Sequence, residues 1–165
     1  MKKIILAFCL IAVVITTSGC SLFNTTERQA ETRGRKIIKA MNENDPDKIR
    51  TFFSQKAISE SNDLEENINT ICSSLENRVL DYKFEMGIES DDIEYGQKSK
   101  LICYNFNIYT DTETYVLFII EYTTDTFKPE NKGIYSITFE AQYDADNNVN
   151  FNYWQDRMIP GLHIY

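Results

Sequence analysis

Four cysteines, one histidine and ten tyrosines are the side chains here best equipped to bind a metal, attack a bond or hold a ligand. Cys9 lies inside an apolar run and Cys20 closes the sequence Thr17-Ser18-Gly19-Cys20. Cys72 and Cys103 remain. In an oxidising compartment they could bridge; otherwise they serve as small buried thiols, and spacing does not fix which. His163 is the only histidine, which excludes a multi-His zinc site within one chain; it reads as part of a terminal segment and not as the centre of a triad. Asp144, Asp146 and Asn148 have the spacing of the first calcium-loop ligands. However, Val149 stands where that loop needs Gly and Gln155 where it needs Glu, and an Asp/Asn-rich hairpin turn accounts for the same residues. Tyr82, Tyr104, Tyr122 and Tyr135 are candidate phenol donors of an aromatic-lined pocket, or else core and sheet formers. Gly34, Gly87, Gly96, Gly133 and Gly161 are isolated, so there is no phosphate-cradling loop. The sequence thus assigns no catalytic residue, no metal ligand and no cofactor.

The first twenty residues carry a clearer pattern. Met1-Lys2-Lys3 is positive, Ile4 to Ile15 is an unbroken run of twelve apolar residues, and Thr16 to Gly19 is small or polar. A spanning helix needs about 20 apolar residues, so export with cleavage is the expectation. The ending Gly19-Cys20 resembles the lipobox of bacterial lipoproteins, with Thr17 where that pattern most often has Leu. The resemblance implies cleavage after Gly19 and a thioether from Cys20 to diacylglycerol. About two or three acyl chains, at about 0.8 kcal/mol per buried methylene, then hold the protein on the extracytoplasmic face of the cell membrane. Cys20 is on this reading an anchor and not a catalytic thiol.

Without its first 19 residues the 165-residue chain keeps 146, enough for one core. The 17 basic residues fall to 15 with Lys2 and Lys3 gone, against 25 acidic ones, for a net charge of −10. Nucleic acid repels such a chain. The partners left are the membrane through the lipid anchor, and an envelope protein, a peptide or a small ligand.

Any site must be positioned by elements that the periodicity outlines. Ser21 to about Arg28 is polar and reads as a tether. Ala30, Gly34, Ile37, Ile38 and Met41 share one face of a helix over about 27–42. Asp45-Pro46 caps and starts a second helix, with Ile49, Phe52, Phe53 and Ala57 inward. A third helix starts at Asn62, with Glu65 as its capping-box partner and Leu64, Ile68, Ile71, Cys72 and Leu75 buried. The period then falls to two. Strands are expected over 79–86, 101–109, 115–123, 134–143 and 149–154, with a short one around Ile93–Tyr95 in an otherwise polar stretch. The strand at 115–123 is apolar on both faces and so central. Helices followed by antiparallel strands give an α+β domain of three N-terminal helices packed on a curled antiparallel sheet of four to six strands. The boundaries are a signal peptide over 1–19, an anchor and tether over 20–28, and a single domain over 29–165. The C-terminal Met158, Ile159, Leu162 and Ile164 are expected to fold back, turning at Pro160-Gly161, with Trp154 buried.

Trp154 followed by Pro160, Gly161, Leu162 and Ile164, together with Asn44-Asp45-Pro46 through Phe52-Phe53-Ser54, resembles a group of small bacterial lipoproteins of unknown function. Their fold is the cone-shaped α+β roll typified by nuclear transport factor two and ketosteroid isomerase. The resemblance implies that fold over about 28–165 and a place in the cell envelope. It implies no activity, because the fold hosts both enzymes and binding domains. Three roles are compatible with these observations. The first is a non-enzymatic binding module, the second an immunity-type lipoprotein that blocks a secreted toxin, and the third a small cone-fold enzyme, which a buried Asp–Tyr pair in a deep pocket would favour.

Overall fold

The expected helices form, with one subdivided. In the computed structural model, residues 20–142 and 158–165 are described, with side chains from residue 26 onward. The chain divides into two units between Gly34 and Arg35. Helix α1 spans Cys20–Asn42, so residues 20–28 are helical rather than an irregular tether. Helix α2 spans Pro46–Arg50; Asp45 caps it as expected, Oδ1 accepting from the Lys48 N–H at 2.9 Å. The chain then leaves the helix at Thr51–Ser54 and re-enters it as α3, Gln55–Glu60. Among the described residues four helices therefore precede the sheet, where three were expected for the whole chain. The cause is competition for backbone donors. The Ser54 N–H bonds to the Ile134 carbonyl at 2.8 Å and the Ile134 N–H to the Phe52 carbonyl at 3.1 Å, while the Ser54 hydroxyl caps α3 by accepting from the Ala57 N–H at 3.1 Å. Helix α4 spans Leu64–Leu75, with Asp63 and not Asn62 at its N-cap. The capping box does not form: Asp63 makes no side-chain cap bond, and Glu65 pairs with Arg50.

Five strands follow among the described residues: β1 Val79–Glu94, β2 Gln97–Thr110, β3 Thr114–Asp125, β4 Gly133–Ala141 and β5 Gly161–Ile164, in that spatial order. The sheet is curled and the architecture is mixed α+β. The first four strands form an antiparallel meander; β5 runs parallel to β4, pairing Gly161 with Ser136 and Leu162 with Ile137. The sheet is thus not wholly antiparallel, and the tail folds back as an added strand. Leu162 is buried, whereas Met158, Ile159 and Ile164 keep about a third to a half of their surface exposed. The expected strand at 149–154, Trp154, Gly19 and the whole of 1–19 lie outside the described residues.

Strand β3 is central, as its composition implies, and Leu117 to Glu121 are buried on both faces. The inner face carries Tyr104, Phe106, Ile108, Leu117, Ile119 and Ile137, all buried. The part of helix α1 from Arg35 onward lies on this side, the Arg35 guanidinium 5.8 Å from the Tyr82 ring centre. Ile37, Ile38 and Met41 of α1 and Ile68, Ile71 and Leu75 of α4 are likewise fully buried. At roughly 1.5–3 kcal/mol per large side chain, this core supplies most of the folding drive. On the other face a smaller cluster gathers Cys103, Phe118 and Ile120 with Leu101 and Tyr135. Among the described residues no helix is long and apolar enough to cross a membrane.

Candidate functional site

The four candidate tyrosines do not converge. Tyr82 and Tyr104 belong to the inner face, Tyr122 and Tyr135 to the outer cluster, where their rings meet edge-on at 5.5 Å. The Tyr104 hydroxyl donates to Glu121 Oε2 at 3.0 Å, and both residues are buried to 1% exposure or less. The pair differs from the Asp–Tyr pair expected of a cone-type enzyme in having a glutamate. It is packed between Phe84 and Phe106, and the Tyr104 surface is wholly covered, so a substrate would have to displace core side chains. The pair is a buried core contact.

The remaining candidates divide in the same way. Cys72 and Cys103 are both free and buried. Burial, with a smaller effect from Asp45, pushes the Cys72 thiol up to about 11, and burial alone pushes Cys103 up to about 12. Neither is a nucleophile at neutral pH. His163 sits on β5, its Nε2 3.1 Å from the Ile159 carbonyl. Asp144, Asp146 and Asn148 lie outside the described residues, among which no three metal-ligating side chains converge. Asp125 is a turn organiser: Oδ1 accepts from the Phe127 and Lys128 N–H groups and Oδ2 from the Asn131 amide.

The feature that composition did not suggest is the far end of the β1–β2 hairpin. The polar stretch 87–99, expected to be mostly loop, is strand on both sides of a two-residue turn, Tyr95-Gly96. Both turn residues have positive φ, +49° and +81°, the combination that matches the twist of a two-residue hairpin. Strand β3 pairs only as far as Asp125 opposite Ser99, and Thr126 still bonds Lys98, so Ile93 to Gln97 reach beyond the sheet. There Tyr95 is 97% exposed and Ile93 75%, the two most exposed large apolar side chains among the described residues. Around them stand Glu89, Asp91, Asp92 and Glu94, with Glu89 paired to Lys100 and Lys98 opposite Ile93. Asn or Gly is the inexpensive residue at the first position of such a turn, and a tyrosine there carries backbone strain of order 1 kcal/mol. Tyr95 is thus an aromatic held fully in water at the cost of a strained backbone. The Tyr95-Gly96 pair, with a glycine suited to a tight turn, was the signal available in the sequence.

Residues 36–145 match the family described as a domain of unknown function (DUF5104), more than half of the chain and the whole of this hairpin; the chain belongs to that family. No curated protein matches it.

Proposed function

We propose that this member of the DUF5104 family is a membrane-anchored lipoprotein, and that its domain is a non-enzymatic binding module on the extracytoplasmic face of the cell membrane. The signal layout ending at Gly19-Cys20 supports the anchor, with cleavage after Gly19 and lipid on Cys20. Helices laid on one face of a curled sheet support a cone-shaped roll of the nuclear transport factor two type. The observation that carries the binding reading is Tyr95, a fully exposed aromatic at the strained tip of a projecting hairpin. Tyrosine supplies much contact area for little lost side-chain freedom and is enriched at interface hot spots.

The partner is a protein or peptide of the envelope with an apolar pocket and a basic rim. Four carboxylates and two lysines flank the tip, a local charge that speeds encounter with a basic surface. That sign also suits the immunity-type alternative, in which the partner is a basic secreted toxin. The test has two readouts. Cells fed labelled palmitate should label the wild-type chain and not Cys20→Ala; label on the variant would sink the anchor. In cross-linking of intact cells followed by mass spectrometry, the wild-type chain should capture a basic envelope or secreted protein. The Ile93→Ser/Tyr95→Ser variant, with both changes in solvent, should lose at least about 90% of that capture, equivalent to more than about 1.4 kcal/mol. Undiminished capture would remove the tip from the binding reading.

A further inference from the structure

Strand β1 is 16 residues long, and among the described residues its only strand neighbour is β2. Among the described residues no strand covers its other edge, where the Val79 and Tyr82 N–H groups donate to the Asn42 and Asp81 side chains; sheets normally protect such an edge because another chain can add to it. Two protective devices are present. Register shifts place an extra residue at Leu80 and another at Gly87-Ile88, and a lysine stands mid-strand. Both devices have a feature that protection does not explain. The bulged residues Leu80 and Ile88 leave large aliphatic side chains in water, 71% and 49% exposed. Lys83 is joined by Glu85 two residues on, their ion pair at 2.7 Å.

We infer that this edge pairs with itself: two copies of the chain join β1 to β1 antiparallel about a two-fold axis at Phe84, making one continuous sheet. The register follows from elimination. Residues directly opposite in an antiparallel pair point to the same face, so an axis perpendicular to the sheet must pass through a residue and not between two. Centring on Lys83 sets Lys83 against itself and Asp81 against Glu85. Centring on Glu85 sets Glu85 against itself and Asp81 against Glu89. Like charges directly opposite are destabilising. Centring on Tyr82 pairs Asp81 with Lys83 but leaves Ile88 outside the interface. Centring on Phe84 sets Lys83 opposite Glu85 of the second copy, twice, and Leu80 opposite Ile88, twice. Tyr82 then faces Met86, and Phe84 faces its own counterpart. This register sets both Lys83–Glu85 pairs across the axis and covers both exposed aliphatics, with Asp81 opposite the uncharged Gly87. The ion pair within each strand becomes a chequer of four alternating charges across the axis. The hairpin tips beyond Ser90 stay unpaired and point away from the axis at opposite ends.

Sedimentation equilibrium of the full chain, with the same detergent in every sample, tests this. The wild type should be a dimer at concentrations of about 10 µM. Lys83→Glu and Glu85→Lys should each raise the dissociation constant by at least about tenfold, since each places like charges opposite one another. The double exchange Lys83→Glu/Glu85→Lys restores the pairing with reversed signs and should restore the dimer. Leu80→Ser should weaken it independently of charge. Lys83, Glu85 and Leu80 are all exposed, so an unchanged circular dichroism spectrum and melt accompany each variant. A wild-type chain that stays monomeric to about 100 µM, a dimer indifferent to the single exchanges, or a double exchange that fails to rescue would each overturn the proposal.

Discussion

A carboxylate with 1% exposure is expensive unless a donor meets it, and Glu121 receives the Tyr104 hydroxyl at 3.0 Å. The same logic gives the buried thiols a measurable signature. Cys103 is held as the neutral thiol by burial, its folded value raised from 9.0 to about 12. A group with a raised folded value contributes its full stability below the unfolded value and loses it as pH rises, because the unfolded chain releases the proton first. Stability should therefore fall as pH rises above about 9, and Cys103→Ala should fall less steeply than the wild type in urea titrations between about pH 8 and 10.5. Parallel profiles would show that Cys103 titrates normally. At this scale the sequence was informative about what is excluded. One histidine and scattered glycines removed whole reaction classes. It could not separate Tyr95 from nine other tyrosines, because exposure depends on where the sheet ends.

Helix α1 from residue 27, the Asp45-Pro46 cap of α2, the apolar face of α4 and the central β3 were all legible, since each depends on local period or capping. What local pattern missed was decided by distant partners. The second helix broke because Phe52 and Ser54 give their backbone bonds to Ile134. The β1–β2 extension alternates in no visible way because both its faces meet water. Strand β5 was read as a folded tail because a four-residue parallel strand has no periodicity to detect. Its docking is exacting. Gly161 has φ +119°, and a Cβ added there would lie 2.6 Å from the Ser61 Cβ. Gly161→Ala should cost more than about 1 kcal/mol from the backbone alone, with the contact added. Because Ser61→Gly removes the clash but not the backbone strain, the double variant should recover part of the loss. A double-mutant cycle with no coupling would show that Ser61 and residue 161 do not touch in solution.

For the molecule as a whole, the proposed binding role joins an acidic surface to an apolar tip: on that reading charge steers the encounter and a small apolar contact supplies the residence time. The Phe53–Ile134 bridge, which ties the helical segment to β4, has a consequence in time. Strands β1 to β4 are sequence neighbours, and hairpins close within about 1–10 µs. The bridge joins positions far apart in the chain, and the Asn67 amide bonds the Leu162 carbonyl across 95 positions. Such closures pay chain entropy before they gain contacts. The meander should therefore form the folding nucleus and the helical clasp should close after the barrier. Ile108→Ala, within the meander, should chiefly slow folding; Phe53→Ala, at the helical side of the clasp, should chiefly hasten unfolding, each costing about 2–5 kcal/mol at equilibrium. Chevron plots with those assignments exchanged would mean that the clasp nucleates. On the order drawn here, the bare sheet exists first, and for that interval its apolar inner face lies open to whatever else is in the compartment.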